Sequence, residues 1–540
     1  MENKMNKVTL LRAPDYCVGA TDDSPFRFEE RANVGENPVK FDYVVEKNSA
    51  KVIVYPSGSP VKYLKLRFNG DFSAVDKVFG DTWERTGQMT YIEWRSKMNC
   101  RILPWYLYAK EGDCTFCYGV KTGADAFCFW GLDSDGVTLF INLTCGDGGT
   151  DLKQPLVACE VVEYFGAAGE DSYSVAAKFA KIMCEKPVLP KTPIFGVNNW
   201  YWAYGKITRE TVKTETDYLI EMTSGVKNRP YMIIDDGWQI NRTFGDGAYI
   251  GGPWVANDGF KNMADTVSDI HSRGANAGIW FRPLLDKGDA PAEAKLAELN
   301  GGYILDPTHP YTLEKVLSDA RLIRGYGFDL IKHDFSTCDI TGISPLKSES
   351  DVNLTKNRKY FDNAKTLATV IKNLYKTVQA GAQTDVIGCN TVSHLTAGIH
   401  SIYRVGDDTS GRSFEWTVRH GVNSMMRLPL NDAFYNVDPD CAAFTEKVSV
   451  QKNLDYLEMC AITGVTTLAS VTPHILSDGE MKRINEIFKT ADKGAERYTI
   501  KNYDKTASPD EFVGADGKTV RKFKWTDEYH GSRYNLSWTE

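Results

Sequence analysis

From about residue 195 to residue 485, short apolar runs alternate with amphipathic helical stretches, and this rhythm constrains the fold more than any other feature of the chain. One apolar stripe, formed by Met263, Val267 and Ile270, ends at Gly274, and two similar stripes follow. Stripes with a period of 3.6 residues that end in glycine are typical of helices. Repetition of strand and helix over this length predicts one (β/α)8 (TIM) barrel, an α/β fold. The alternative is a doubly wound sheet, but no Gly-rich phosphate loop follows any strand-like run.

Eight strand candidates can be placed in this part of the chain, as a barrel requires. They end near Trp200, Asp235, Arg282, Asp334, Asn390, Arg404, Asp438 and Val471. The interval from Asn390 to Arg404 is too short to contain a full helix, so we expect this unit to be irregular.

The segments that flank the barrel are predicted to be β-rich. Residues 64–68 and 137–143 alternate apolar and polar positions, as half-buried strands do, and no helix separates the early strands. We therefore expect an N-terminal antiparallel β-sandwich domain over residues 1–188, which ends with a helix from Asp171 to Cys184 and a proline-rich boundary. The barrel is assigned to residues 189–488, and a short C-terminal β-rich domain to residues 489–540.

Composition restricts the classes of partner. The formal net charge is −8 and no long basic run occurs, which argues against nucleic acid and anionic membranes as partners. No apolar run has the ~18 residues of a membrane-spanning helix. The twelve cysteines are scattered, which fits reduced thiols and a cytoplasmic location, although a leader removed from the chain would not be visible. The lone Cys114-x-x-Cys117 pair does not make a zinc site, and we expect neither metal nor cofactor.

Polar and aromatic side chains cluster at the predicted strand ends, where the βα loops of a barrel build the active site. The candidates are Trp200, Asp235, Asp236, Trp238, Trp280, Arg282, Lys332, Asp334, Cys389, Asn390, Arg404, Asp407 and Asp408. Carboxylates accept hydrogen bonds from hydroxyl groups, and an indole ring packs on the C–H face of a sugar. This combination indicates a site for a carbohydrate substrate.

Two carboxylates from different strands would perform the chemistry of glycoside cleavage. Lys332 and Asp334 alternate along one strand and should project to the same side, so we expect Lys332 to keep Asp334 ionised as the nucleophile. Asp407 or Asp408 suits the acid/base, because an adjacent carboxylate and partial burial favour a protonated acid, and Arg404 could orient it. A separation of ~5–5.5 Å between the two carboxyl groups would mean retention of configuration, and ~6.5–9.5 Å would mean inversion.

Each candidate, taken alone, also has a plainer interpretation. The Lys332-x-Asp334 pair could be a solvated ion pair, and Arg404 could belong to a surface ion-pair network. Asp235 to Trp238 could form a turn, Trp200 and Trp280 could fill the barrel core, and Cys389 could be an inert buried thiol. His333 should face away from the site, and the segment 438–440 is interpreted as a rigid turn that supports it. The occurrence of the candidates on successive strand ends favours the functional interpretation.

Seven segments together carry a resemblance to a known family. They are the Trp200 segment, Asp235-Asp236-Gly237-Trp238-Gln239, Trp280-x-x-Pro283, Lys332-x-Asp334, Gly388-Cys389, Arg404-Val405-Gly406-Asp407-Asp408 and Asn436-Val437-Asp438-Pro439-Asp440-Cys441. In this order, over roughly residues 190 to 470, the chain resembles the α-galactosidases of glycoside hydrolase family 36 and their clan relatives in families 27 and 31. An all-β domain before the barrel and a β-rich one after it are also similar to that family.

The resemblance implies roles for individual residues. It implies that Asp334 is the nucleophile and that Lys332 binds a sugar hydroxyl. It further implies that Asp235 and Asp236 bind the C4 and C6 hydroxyls, and that Trp200 forms a wall of the pocket.

At the sixth strand the family pattern Arg-x-Gly-x-Asp bears on the choice of acid/base. It implies that Asp408 is the acid/base and that Arg404 is a ligand. Asp407 then stands where the family commonly has another residue.

Three departures from the family pattern leave the substrate open. After Cys389 the chain continues with Asn390 to His394, where the family usually has small residues and a proline, so galactose, N-acetylgalactosamine and an arabinose remain alternatives. Arg282 replaces a residue that is often small in relatives, and it could contact an anionic or extended group. The C-terminal domain is short.

The sequence thus predicts a retaining, exo-acting α-glycosidase, with α-galactosidase as the first choice and an oligosaccharide or glycoside as substrate. The alternatives are a transglycosylase of the raffinose-synthase type, a related α-glycosidase, and an inactive carbohydrate-binding relative, although both catalytic carboxylates are present. A metal hydrolase at Asp235, Asp236, His333 and Asp334 is disfavoured, because strand alternation turns His333 away and Lys332 would repel the cation. Assembly into a homo-oligomer is left open by the sequence.

Overall fold

The computed structural model describes residues 8–24, 37–84, 94–96, 102–240, 251–299, 301–342, 358–494, 497–505 and 508–525. Among the helices in these ranges, none is long and apolar enough to cross a membrane.

Two antiparallel sheets form the N-terminal part of the chain, as predicted. The strands of the five-stranded sheet are, in spatial order, Tyr16–Thr21, Val61–Asn69, Gly136–Asn142, Phe127–Asp133 and Leu103–Pro104. Those of the seven-stranded sheet are Phe41–Val45, Ala50–Val54, Leu156–Phe165, Cys114–Val120, Tyr106–Glu111, Lys77–Gly80 and Arg95–Ser96. A short hairpin pairs Thr144–Cys145 with Gly148–Gly149.

The predicted alternation places apolar side chains inside this sandwich. Leu64, Leu66 and Phe68 are fully buried, and Leu66 lies opposite Leu139 in the neighbouring strand. Full burial of such a side chain contributes roughly 1.5–3 kcal/mol to folding. The predicted helix at the end of this part spans Ser172–Met183, and the side chain of Asp171 caps its N-terminus.

The middle of the chain forms one parallel sheet that curves into the predicted barrel. Its strands are Phe195–Asn198, Tyr231–Ile234, Asn276–Phe281, Leu330–His333, Asp385–Gly388, Ile402–Arg404, Asn436–Asp438, Cys441–Phe444 and Thr467–Val471. Each predicted strand end lies within two residues of an observed one.

The seventh barrel strand is split into two pieces, which the sequence did not predict. Asn436–Asp438 pairs with the sixth strand, Ile402–Arg404, whereas Cys441–Phe444 pairs with the eighth, Thr467–Val471. Proline cannot donate a ladder hydrogen bond, and Asp440 has a left-handed backbone with φ of 59°. The split at residues 439–440 therefore interrupts the ladder and turns the Asp440 side chain away from a regular strand position.

Helices connect the strands outside the sheet. Their bounds are Trp200–Ala203, Arg209–Met222, Met263–Ser272, Pro310–Gly325, Ser336–Thr341, Leu367–Ala382, Ser393–Thr396, Phe414–Met426, Val450–Thr463 and Asp478–Lys493, with 3-10 turns at Ala292–Ala294 and Leu428–Leu430. The unit after the fifth strand holds only the four-residue helix Ser393–Thr396, which confirms its predicted irregularity. A three-stranded sheet of Leu285–Asp286, Gly302–Leu305 and Lys295–Leu299 follows the third strand.

An apolar cluster fills the interior of the barrel. It includes Ile233, Leu330, Ile387, Ile402 and Leu468, which come from five different barrel strands. Tyr201 belongs to the same cluster, and Trp200 packs against it. The cluster closes the barrel below the carboxyl ends of the strands and supplies a floor for any site built there.

The C-terminal segment returns to β structure. Thr499–Ile500, Glu511–Val513 and Val520–Lys522 form a small antiparallel sheet. This confirms the β character predicted for the C-terminal segment, of which residues 526–540 lie outside the described residues.

Candidate active site

The carboxyl ends of the barrel strands surround one pocket. It is lined by Trp200, Tyr201, Asp235, Asp236, Trp280, Lys332, Asp334, Phe335 and Asp408. Seven of these nine residues are among the candidates named from the sequence, and they come from five different strand ends. The barrel topology therefore brings together side chains that are up to 208 positions apart in the chain (200 to 408).

Asp334 follows the fourth strand, Leu330–His333, and its carboxylate is held from two sides. One oxygen, Oδ2, accepts a hydrogen bond from Nε1 of Trp280 at 3.1 Å, and Oδ1 accepts the backbone N–H of Phe335 at 2.7 Å. Phe335 has a left-handed backbone with φ of 63°, so the chain turns sharply after the carboxylate. The two donors fix the orientation of Asp334 at the pocket wall.

Lys332 lines the same pocket as Asp334, as strand alternation predicts. Its ammonium group, however, pairs with Asp235 across the pocket, with Nζ 2.6 Å from Oδ2. The ion pair of Lys332 is thus made with a carboxylate from the second strand, while Asp334 adds a smaller electrostatic attraction. Burial disfavours the charge, but the attraction of Asp235 outweighs it and raises the pKa of Lys332 well above its usual range.

Asp235 and Asp236 lie directly after the second strand and are almost fully buried. Besides Lys332, Oδ2 of Asp235 accepts a hydrogen bond from Nδ2 of Asn198 at 2.7 Å. Oδ1 of Asp236 accepts a hydrogen bond from Nε2 of Gln239 at 2.7 Å. Both carboxylates line the pocket, so this segment is more than the surface turn of the plainer interpretation.

Asp408 and Asp407 are distinguished by their environments. The side chain of Asp408 is 48% exposed, lines the pocket and accepts a hydrogen bond from Nη2 of Arg404 at 2.6 Å. The side chain of Asp407 is buried outside the pocket lining, and its Oδ1 accepts the backbone N–H of Asp408 at 2.9 Å. Arg404 is buried outside the pocket lining. Burial opposes its charge, but Cys389, Asp408 and other acidic groups raise its pKa well above the usual range.

Trp238 and Arg282 support the lining from outside. Nε1 of Trp238 donates to the backbone carbonyl of Trp280 at 3.0 Å, and Trp238 is fully buried. Arg282 binds the carboxylate of Asp339 through Nε at 3.0 Å and Nη2 at 2.5 Å. Its guanidinium group also lies 4.2 Å from the ring centre of Phe335.

Cys389 and Asn390 are buried and are not part of the pocket lining. Cys389 belongs to the apolar cluster of the barrel interior. Asn390 donates to Glu84 of the N-terminal sandwich, and its Oδ1 accepts the backbone N–H of Cys338 at 3.3 Å. The predicted roles of both residues as substrate ligands stay predictions.

Tyr201 and Phe335 line the pocket but were not named from the sequence. Each directly follows a named residue: Tyr201 lies in the short helix Trp200–Ala203, and Phe335 has the left-handed backbone that follows the fourth strand. Both are aromatic residues next to a named residue, Trp200 or Asp334, and this adjacency is the sequence signal that identifies them. Within the described ranges, no three His, Cys, Asp or Glu side chains are grouped as ligands for a metal ion.

Comparison with solved structures finds this fold in α-galactosidases. TtGalA from Thermus thermophilus, solved with p-nitrophenyl α-D-galactopyranoside, aligns with a TM-score of 0.58 over 90% of this chain and 98% of its own, at 16% identity. The family 36 α-galactosidase AgaA from Geobacillus stearothermophilus aligns with a TM-score of 0.59 over 88% of this chain and 71% of its own, at 12% identity. AgaB from the same organism aligns with a TM-score of 0.59 over 93% of this chain and 81% of its own, at 11% identity. The chain therefore has the fold of these enzymes.

A sequence relative points in the same direction over a shorter stretch. A curated α-galactosidase from Oryza sativa subsp. japonica is 24% identical over 159 residues, which are 29% of this chain and 33% of the relative. The match thus spans about a third of the length of that relative. No family model matches the chain.

Proposed function

We propose that this protein is a retaining, exo-acting α-galactosidase that hydrolyses terminal α-linked galactosyl residues by double displacement. The observation that carries the proposal is that Asp334 and Asp408, which come from different strand ends, line one pocket together with a buried set of polar groups. Glycoside hydrolysis by retaining enzymes requires two carboxyl groups of this kind.

Asp334 and Asp408 take the two roles of the reaction. Asp334 attacks the anomeric carbon while Asp408 donates its proton to the departing glycosidic oxygen, so the C–O bond breaks and a galactosyl ester of Asp334 forms. Asp408 then takes a proton from water, whose oxygen attacks the same carbon and releases Asp334. The exposed side chain of Asp408 supports this assignment, because it is accessible to the leaving group and to water.

The polar wall of the pocket is proposed to bind the sugar. Asp235, Asp236 and Lys332 are buried, line the pocket and can hydrogen-bond to hydroxyl groups, and the Lys332–Asp235 ion pair holds two of them in place before substrate arrives. The half-buried Trp200 supplies an aromatic face. A pocket closed from below by the apolar cluster favours a terminal residue over an internal one.

Galactose is favoured by two further observations. TtGalA was solved with p-nitrophenyl α-D-galactopyranoside and with stachyose, and a variant of AgaA with 1-deoxygalactonojirimycin. Arg282 lies outside the pocket lining, where it is paired with Asp339 and stacked on Phe335, and this disfavours a role in binding an anionic sugar. Oligosaccharides with a terminal α-galactosyl group are the proposed natural substrates.

A panel of 4-nitrophenyl α-glycosides tests the proposal. We expect the highest kcat/KM with the α-galactoside, and losses of at least about 10²-fold in Asp334→Ala and Asp408→Ala, because each removes a group that acts in the transition state. Asp407→Asn is the matched control, since this carboxylate is adjacent to Asp408 but outside the lining. No hydrolysis by the wild type, or full activity in either alanine variant, would contradict the proposal. Transfer of the galactosyl group to a second sugar in preference to water would instead identify a transglycosylase.

A further inference from the structure

Asp440 is a buried carboxylate outside the pocket lining, and it has no part in the mechanism above. It lies in the split of the seventh strand, between Asn436–Asp438 and Cys441–Phe444, and is 4% exposed. Its backbone is left-handed, with φ of 59°. Asp tolerates this conformation better than most residues do. The position thus places a carboxylate where a regular strand would not.

All the donors to one oxygen of Asp440 belong to the surroundings of Asp408. Oδ2 accepts the hydroxyl of Tyr201, which lines the pocket, and Nη1 of Arg404 at 3.3 Å. The same oxygen accepts the backbone N–H of Thr409, the residue after Asp408, at 3.0 Å. The other oxygen, Oδ1, accepts the N–H of Cys441 at 2.8 Å, which anchors the carboxylate to the eighth-strand side of the split.

Arg404 connects Asp440 to Asp408 directly. Its Nη2 binds Oδ1 of Asp408 at 2.6 Å, while Nη1 contacts Asp440. The guanidinium fork is planar and rigid, so fixing one arm fixes the direction of the other. The carboxylate of Asp440 therefore determines the direction in which Nη2 of Arg404 donates to Asp408.

The charge around Asp440 supports the same conclusion. The charged and titratable groups that face it are Arg404, Lys332, His420, Asp408, Asp438, Tyr201, Cys441 and Tyr456. Burial opposes its charge, but Arg404 and other basic groups outweigh burial and lower the pKa of Asp440. Burial and the neighbouring Asp440 raise the pKa of Asp438 to about 6. Asp440 is thus the carboxylate of this turn that stays ionised and shares the charge of Arg404 with Asp408.

We propose that Asp440 is a positioning residue for the acid/base step: it orients Arg404 and the backbone after Asp408, and it prevents Arg404 from acting on Asp408 alone. The inference rests on the proposed function. It assigns a role in catalysis to a residue that touches neither the pocket nor the reacting atoms. A purely structural role, in which Asp440 only stabilises the split strand, is the competing explanation.

Asp440→Asn separates the two explanations, because asparagine keeps the shape and removes the charge. Without that charge, Arg404 acts on Asp408 alone, so we expect the acid to lose its proton at lower pH. For a substrate with a sugar leaving group, such as melibiose, we expect kcat/KM to fall about tenfold to hundredfold. This is a part of the ~10²–10⁴-fold rate enhancement that a positioned general acid supplies. The loss should be much smaller with 2,4-dinitrophenyl α-galactoside, which needs little protonation to leave. The basic limb of the pH profile should move to lower pH.

Asp438→Asn is the matched control. It changes a carboxylate of the same turn whose Oδ1 accepts the N–H of Asp440, a bond that asparagine can also accept. We expect it to leave the dependence on the leaving group unchanged. If Asp440→Asn does not fold, Asp440→Glu keeps the charge but displaces the carboxylate, and it should show the same loss that depends on the leaving group.

The outcomes distinguish this inference from the proposed function. Equal losses on both substrates with an unchanged pH profile, or no loss at all, would overturn the positioning role while wild-type activity stands. An inactive wild-type protein would overturn the proposed function and this inference with it.

Discussion

Glu215 is a buried carboxyl group in the helix Arg209–Met222. It accepts hydrogen bonds from Nε1 of Trp202 at 2.5 Å and from Nδ2 of Asn199 at 3.2 Å. Asn199 in turn accepts the backbone N–H of Asp235 at 2.9 Å. Burial, only partly offset by these two donors, raises the pKa of Glu215 to about 8. The carboxyl group is therefore protonated in the folded protein at neutral pH.

This pKa has a consequence for stability. The folded protein holds the proton of Glu215 more tightly than the unfolded chain does. The contribution of this proton to the free energy of unfolding is therefore complete below the usual pKa of 4.5, and it is lost as the pH rises through about 8. We predict that Glu215→Gln, which imitates the protonated acid, flattens the fall in thermal midpoint between about pH 5 and pH 8. Differential scanning calorimetry of both proteins across this range measures the effect. An identical pH dependence in the two proteins would show that Glu215 does not titrate there.

The positions of the site residues could be predicted from sequence, but their pairing could not. Asp235, Lys332 and Asp334 each follow an apolar run, and topology alone places such residues at one end of a barrel. The choice of Asp235 as the partner of Lys332 depends on distances across the barrel, which no local pattern encodes. The same holds for Asn390, whose contact with Glu84 joins residues 306 positions apart.

At the scale of elements, the alternation of strands and helices could be predicted from the sequence, because each helix carries an apolar stripe and each strand a short apolar run. Two features could not be predicted from the sequence. The three-stranded sheet after the third barrel strand is too short and polar to give a periodic signal, with bounds of Leu285–Asp286, Lys295–Leu299 and Gly302–Leu305. The split at Pro439 and Asp440 contains a proline, but a proline equally fits the turn expected there.

The backbone of the loop that carries Asp235 and Asp236 requires a glycine at position 237. Its φ is 125°, and a Cβ at this position would lie 2.5 Å from the carbonyl oxygen of Gly205. Gly58 offers a matched comparison, since its φ is 67° but nothing lies within 4 Å of the added Cβ.

We predict that Gly237→Ala displaces the loop after the second strand. The expected result is a lower thermal midpoint together with a fall in kcat/KM, because both pocket carboxylates move. Gly58→Ala should cost only about 1 kcal/mol of backbone strain and leave kcat/KM unchanged. Thermal unfolding and steady-state kinetics of the two variants measure this. Equal effects of the two substitutions would mean that the close approach to Gly205 has no importance.

At the scale of the whole molecule, the sandwich and the barrel share a buried polar contact. Arg427, at the end of the helix Phe414–Met426, reaches Asp81 with Nε at 2.8 Å and also binds Thr82. It donates a further hydrogen bond to the backbone carbonyl of Val405, next to Arg404. Both charged partners are fully buried, so this ion pair couples the N-terminal sheets to the strand that carries the proposed acid/base machinery.

We predict that removing one partner of this pair destabilises the protein strongly. Arg427→Met should cost about 3–5 kcal/mol, because Asp81 is left buried without its cation. Asp81→Ala should cost a similar amount, and the double variant should cost clearly less than the sum of the two single variants. Denaturant midpoints of the three variants complete the cycle. Additive effects would mean that the two side chains do not act as a pair.

The C-terminal segment is tied into the same assembly. Asp504 accepts hydrogen bonds from Lys110 and from Oγ of Ser172 at 3.0 Å, and both partners belong to the N-terminal part of the chain. We propose domain boundaries near residues 188 and 488, as the sequence indicates. Contacts such as these join segments more than 300 positions apart. Because no local sequence pattern encodes such contacts, the order of the domains could be predicted but their packing could not.

The central claim is that Asp334 attacks the anomeric carbon of an α-galactoside. Incubation with 5-fluoro-α-D-galactopyranosyl fluoride, whose covalent intermediate turns over slowly, followed by mass spectrometry of the digested protein, tests it directly. The predicted result is one modified peptide with the sugar ester on Asp334, absent from Asp334→Ala. Modification of another carboxylate such as Asp408, or turnover of the reagent with no modified peptide, would contradict the account.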